Sequence, residues 1–243
     1  MTTVSDRVET YWTKRARDFN VVRRNELQGD ISERWLAELG KYLPTGRALK
    51  ILDVGTGTGY FAILLGRQGH EVIGIDLTEA MLEEAKRNAA DFQVTAKFIR
   101  MDAQKTEFPD EYFDAVVTRN LTWTLPDPAA AYREWYRVLK KDGILLNFDA
   151  SYADNVRHNR QSDSYVDTSS VYGHCGVTPA LQKESDDITL EMPCAEHTRP
   201  DWDVKILKEA GFIECGFDLQ LGQRVLLEHD LEDAPMFLVR ARK

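Results

Sequence analysis

Hydrophobic positions change their period several times along the chain. In the first 47 residues Val8, Tyr11, Trp12 and Arg15 recur at helical spacing. Ile31, Trp35, Leu36 and Leu39 repeat the pattern until Pro44 and Gly46 break it. From residue 48 onward short apolar runs alternate with helical stretches. ALKILDV (48–54) is continuous enough to suit a strand buried on both faces. A helix is predicted over 60–67, then a strand at EVIGID (71–76). Thr78 stands as N-cap of a helix to about residue 90, with Met81, Leu82 and Ala85 inward. AKFIRM (96–101) and YFDAVVT (112–118) read as two more strands. Asp127 followed by Pro128 opens a helix with Ala131, Trp135, Val138 and Leu139 on one face. GILLNFD (143–149) follows as a fifth strand.

Residues 151–199 break this rhythm. The stretch is polar, rich in Ser, Asp, Tyr and His, and predicts short helices and loops rather than a packed layer. A helix then starts at Pro200 or Asp201, with Trp202, Ile206 and Leu207 inward, and ends at Gly211. Residues 212–220 and 236–240 read as two final strands, antiparallel at the sheet edge. Alternating β and α elements imply a mostly parallel sheet covered by helices. In such sheets the ligand lies beyond the carboxyl ends of the strands, where strand order reverses.

Composition removes several alternatives. With 43% hydrophobic and 29% charged residues over 243 positions, the chain is ordinary globular material. No apolar run approaches the ~20 residues that span a bilayer, which speaks against a membrane protein. The formal charge of −9 has the wrong sign for a nucleic-acid surface. Lys14-Arg15 and Arg23-Arg24 read as solvated helix faces. Cys175, Cys194 and Cys215 are an odd set with no CxxC pair, and the start shows no basic-then-apolar leader. Reduced thiols in a cytoplasmic protein are expected. The His and Cys spacings match no common zinc pattern, so no metal is expected. A homodimer through exposed residues of 151–199 is compatible with the sequence.

The sharpest chemical signal is Asp53-Val54-Gly55-Thr56-Gly57-Thr58-Gly59, between a buried strand and a helix. Glycines there let the backbone turn tightly and approach a ligand. A nicotinamide-dinucleotide site would place its third glycine at position 60, which is Tyr60. The carboxylate of Asp53 suits a cationic ligand better than a pyrophosphate. Asp76 closes the second strand, where an acid can accept from both ribose hydroxyls. Asp102 follows the third strand and can meet an adenine amino group, with Met81 and Met101 as soft neighbours. Each residue also has a purely structural reading: Asp53 as a turn cap, Asp76 as a rival N-cap to Thr78, the methionines as core.

Taken together, LDVGTGTGY, Asp76, the MDA at 101–103 and FDAVVTRN resemble class I S-adenosylmethionine-dependent methyltransferases. The resemblance implies an α/β Rossmann-like fold: a seven-stranded mostly parallel sheet with one antiparallel edge strand and helices on both faces. It implies S-adenosylmethionine as cosubstrate, held by Gly55, Gly57 and Gly59 at its methionine part, Asp76 at the ribose and Asp102 at the adenine, with Ala103 and Asn120 nearby. YWTKRARDF resembles the family's N-terminal lid helix, which would bring Tyr11 and Trp12 to the cofactor. The expected organisation is a helical lid (1–47) on an α/β domain (48–243), with the insert at 151–199 as a cap.

For the reaction, aromatic faces attract a sulfonium. Trp123 and Tyr152 are candidates, Trp123 having packing beneath its loop as the alternative. Asn147, Asp149 and Tyr172 complete the candidate catalytic set. The place after the fourth strand holds Arg119-Asn120-Leu121-Thr122 rather than the Asn/Asp-Pro-Pro-Tyr of nucleic-acid amino methylases, so a small-molecule substrate is expected. A weaker resemblance, to azetidine-2-carboxylate synthases, would make S-adenosylmethionine itself the substrate, cyclised with release of methylthioadenosine. A non-catalytic cofactor binder is the third reading.

Overall fold

The computed structural model describes residues 3–162, 175–232 and 234–243. Its elements run α1 (Val4–Gln28), α2 (Ile31–Gly40), β1 (Lys50–Val54), α3 (Tyr60–Arg67), β2 (Glu71–Asp76), α4 (Glu79–Asp91), β3 (Lys97–Arg100) and β4 (Phe113–Arg119). A 3-10 turn (Thr122–Thr124) leads to α5 (Pro128–Val138), β5 (Leu139–Asp149), α6 (Tyr152–Ser162) and α7 (Pro179–Glu191). After a second 3-10 turn (Pro193–Glu196) come α8 (Asp201–Glu209), β6 (Ile213–Asp218), α9 (Leu221–Val225) and β7 (Phe237–Arg242).

Among the described residues the strands form one seven-stranded sheet, ordered β3-β2-β1-β4-β5-β7-β6. β7 runs antiparallel to both β5 and β6, so the reversed strand sits one place in from the rim and β6 is outermost. The remaining neighbours pair in parallel. Strand order reverses between β1 and β4, which sets the crevice at their carboxyl ends. The class expected from the alternating pattern and the resemblance is therefore present.

The two faces of the sheet are covered by separate apolar clusters. One joins α2, α3 and α9 to the sheet through Trp35, whose ring meets Phe61 and Phe148 edge-on at 5.1 Å each. The other packs α5 and α8 through Tyr132, Trp135, Ile206 and Leu207. Helix α2 is thus part of the main core.

Local details depart from the sequence pattern in four places. Leu139 starts β5 instead of ending α5. Thr78 occupies the N-cap position of α4 without a capping side-chain bond, and Asp76 Oδ1 accepts the Thr78 amide at 2.9 Å. Asp127 does cap α5, accepting from the Ala130 amide at 2.8 Å. In the insert, α7 is 13 residues long, and its Ile188, with Met192 just beyond its end, packs on Tyr11 of α1 as a small third core. The α9 turn between β6 and β7 has no clear apolar period and is not visible in the sequence pattern. Among the described residues no helix is long and apolar enough to cross a membrane.

Candidate active site

A cavity of about 580 Å³ opens at the carboxyl ends of β1, β2 and β4. That volume lies in the range typical of small-molecule sites. The glycine turn forms its floor. Gly55 has φ 65°, and a Cβ there would lie 2.7 Å from Leu121 Cδ1, so only glycine fits. At Gly57 (φ 54°) a Cβ would meet only Phe19 at 3.7 Å, leaving the backbone open to a ligand. Gly59 differs: it does not line the cavity, and its missing side chain lets α3 approach Ala85 of α4, 3.1 Å from where a Cβ would lie.

Asp53 Oδ2 accepts from Thr56 Oγ1 at 2.6 Å and from the Ala62 amide at 3.0 Å. It thus caps the turn, and it also lines the cavity. Burial pushes its carboxyl up to about 7, with the Thr56 and Ala62 bonds opposing. Asp76 reaches back to the turn, accepting the Gly57 amide at 2.9 Å. Burial raises its pKa as well, against the backbone bonds from Thr78 and Gly57. Asp76, Met81, Met101, Asp102 and Ala103 line the cavity on the β2–β3 side, and Asp102 Oδ1 also accepts the Gln104 amide at 2.8 Å.

Aromatic side chains form the opposite walls. Tyr11, Trp12 and Phe19 enter from α1, Trp123 from the 3-10 turn and Tyr152 from α6. The Trp123 and Tyr152 rings lie 5.1 Å apart, and Trp123 Nε1 donates to the Asn120 carbonyl at 3.0 Å. Trp123 therefore faces the cavity as well as packing under its own loop. Asn120 lines the cavity with φ 56° and a buried Oδ1 that has no partner.

Two candidate catalytic residues are elsewhere. Asn147 and Asp149 are 0% exposed and do not line the cavity. Asp149 Oδ2 accepts from Arg199 at 3.1 Å and from the Trp123 amide at 3.1 Å, and also from Thr122 Oγ1. Asn147 Nδ2 donates to Tyr132 Oη at 2.8 Å, and that hydroxyl donates to Asp203 at 2.7 Å. Positions two apart on a strand share a face, and both side chains meet in this one buried network at the end of β5 through Thr122 Oγ1. The network is bonded to the Trp123 turn through Thr122 Oγ1 and the Trp123 amide. Tyr172 lies outside the described residues.

The sequence pattern missed a charged group in the cavity wall. Arg23, Glu26, Tyr60 and Arg119 all line it. Arg15 and Arg23, read from sequence as solvated, are 1% and 6% exposed. The available signal was the spacing of Trp12, Ala16, Phe19, Arg23 and Glu26, one stripe of a helix. Burial would raise the Glu26 carboxyl, but the charges of Arg119 and Arg23 and their hydrogen bonds hold it at about 2. Among the described residues no group of three or more His, Cys, Asp or Glu is placed to hold a metal ion.

Comparisons with known proteins agree with this geometry. Residues 52–147 match a family model described as a methyltransferase domain. The S-adenosyl-L-methionine-dependent Diels-Alderase of a Neonectria species is 30% identical over 207 residues, covering 83% of this chain and 73% of that protein. The ubiquinone biosynthesis O-methyltransferase of Alkalilimnicola ehrlichii is 36% identical over 98 residues, 40% of each chain. Other curated relatives are also matched over 40–49% of their length. Among solved structures, an S-adenosylmethionine-dependent methyltransferase from Mesorhizobium loti superposes with a TM-score of 0.62 at 21% identity, covering 89% of this chain and 100% of that one.

Proposed function

The chain belongs to the class I S-adenosylmethionine-dependent methyltransferase family, and we propose that it transfers a methyl group from S-adenosylmethionine to a small molecule. The observation that carries this reading is the single cavity in which the glycine turn, Asp76, Asp102 and an aromatic wall meet. These residues fit the cosubstrate by their chemistry. Gly57 leaves an open backbone, Asp76 and Asp102 offer carboxylate acceptors to a nucleoside, and Asn120 Oδ1 is a buried acceptor without a partner. When bound, the cosubstrate supplies an activated methyl on a cationic sulfur.

The protein's part is then alignment and exclusion of water. Tyr11, Trp12, Trp123 and Tyr152 present aromatic faces that favour a cation by ~0.5–2 kcal/mol. In this reading α1 and the α6–α7 insert act as the cover, since Tyr11 and Trp12 from α1, Val156 from α6 and Ser185 from α7 all line the cavity. Asn147 and Asp149 serve by holding the Trp123 turn. Methyl transfer is favoured over self-cyclisation by the methyltransferase domain match and by relatives named as methyltransferases. The broadest of the sequence matches described above is named for a different reaction, which makes the product the decisive readout.

The test is product analysis by mass spectrometry. The protein is incubated with S-adenosylmethionine, with and without a library of small acceptors. S-adenosylhomocysteine formed only when an acceptor is present supports the proposal. Methylthioadenosine from S-adenosylmethionine alone, above the spontaneous background, overturns it in favour of the cyclase. Binding without turnover of any acceptor would favour a non-catalytic binder.

A further inference from the structure

One end of the cavity holds a charge that neither the glycine turn nor the aromatic wall uses. Glu26 takes Arg119 through both oxygens, Nη1 to Oε2 at 2.9 Å and Nη2 to Oε1 at 3.3 Å. Arg23 Nη1 donates to the same Oε1. The side chains of all three, Arg23, Glu26 and Arg119, are buried. Two guanidiniums therefore share one carboxylate, which leaves one positive charge in excess.

Among the described residues no second carboxylate is bonded to either guanidinium. The Arg119 guanidinium lies over the rings of Trp35, at 4.7 Å, and Tyr60, at 5.0 Å, and Arg23 lies over Phe19 at 4.6 Å. Other acids of the cavity wall are committed elsewhere: Asp53 and Asp76 to the glycine turn, Asp6 to the start of α1, Glu9 to Arg100, Asp102 and Asp186 to glutamines. Two buried donors, Arg119 Nε and the Tyr60 hydroxyl, have no partner. An unpaired buried charge is costly, and so is a buried donor without an acceptor. A bound anion of charge −1 would relieve both. A carboxylate has that charge, and a planar guanidinium matches its geometry.

We propose that Arg23, Arg119 and Tyr60 form a carboxylate-binding subsite of the cavity, with Glu26 as the positioning residue that holds the two guanidiniums. This rests on the cofactor reading above. Two sources present the same chemistry: the amino-acid carboxylate of the cosubstrate, or a carboxylate on the acceptor. Arg23 sits one ring, Phe19, away from Gly57, so the subsite borders the floor on which both would meet.

Calorimetry separates the sources. S-adenosylhomocysteine and 5′-methylthioadenosine, which lacks the amino-acid carboxylate, are titrated into the wild-type protein, Arg23→Gln and Arg23→Lys. Loss of about 10- to 100-fold in S-adenosylhomocysteine affinity in Arg23→Gln, partly restored by Lys and absent for methylthioadenosine, supports the cosubstrate as source. Unchanged binding of both nucleosides, with acetate and benzoate raising the melting temperature of wild type but not of Arg23→Gln, supports the acceptor. If neither difference appears, the subsite is overturned. Should Arg23→Gln not fold, Tyr60→Phe removes one donor alone, and the same comparisons apply with a smaller loss of roughly 3- to 10-fold. Wild-type indifference to both nucleosides would reject the cofactor reading instead. The carboxylate titration of the free protein would still decide the subsite, since it needs no nucleoside.

Discussion

Asp53 gains its place from two hydrogen bonds that only the folded turn provides, and loses water to obtain them. Its pKa is pushed up to about 7 from an ordinary 3.8, with burial as the leading cause. The folded protein keeps this proton where the unfolded chain has already lost it. The associated stability is fully present below about pH 4 and is lost as pH rises through about 7. Asp53→Asn should therefore flatten that decline: the melting-temperature difference, variant minus wild type, should grow from pH 4 to pH 8. A constant difference across that range would contradict the assignment. Asp76 bonds the Gly57 and Thr78 amides while facing the cavity. Asp76→Ala should weaken S-adenosylhomocysteine binding by about 1–3 kcal/mol in calorimetry, and unchanged affinity would remove it from the site. These acids were legible in the sequence because strand ends fix where they stand. Arg23 and Glu26 were not, because charged residues on a helix are ordinarily solvated. Only the three-dimensional closeness of Arg119 shows that they are paired inside.

At the level of elements, two anchors carry different kinds of interaction. Helix α2 is fixed by Trp35, fully buried against Phe61 and Phe148. Trp35→Ala should cost about 3–5 kcal/mol in urea unfolding; a loss below about 1 kcal/mol would contradict a core role for α2. The turn bearing Trp123 is fixed by charge. Arg199 donates to Asp203 at 2.8 Å and to Asp149 at 3.1 Å, with all three side chains nearly inaccessible. Arg199→Met leaves two buried carboxylates without their cation, and should destabilise by about 3–5 kcal/mol. A neutral effect in the same unfolding experiment would mean that the network relaxes around the gap. Sequence pattern found α2 from its apolar stripe but read Asn147 and Asp149 as facing a substrate. It had no means of knowing that Arg199, fifty positions further on, would occupy that side of β5. The length of α7 was also hidden, since much of its burial is against α1 rather than against the sheet.

For the whole molecule, the sheet order β3-β2-β1-β4-β5-β7-β6 brings residues from both ends of the chain to one crevice. Leu27 and Trp35 from the N-terminal helices share a core with Leu221 and Leu238 near the other end. That architecture was legible because buried parallel strands are continuous apolar runs with helices between them. The meeting of α1 with the insert was less so, because it runs through long-range pairs such as Arg7 with Glu184 at 2.9 Å and Arg15 with the Cys175 carbonyl at 2.6 Å. On the reading proposed above, the cavity takes a sulfonium nucleoside rather than a redox dinucleotide. The most direct test is to titrate the protein, side by side in a calorimeter, with S-adenosylhomocysteine and with NADH. Saturable one-to-one binding of the first and no heat from the second is the expected result. Retention of NADH with indifference to S-adenosylhomocysteine would contradict the account at its base.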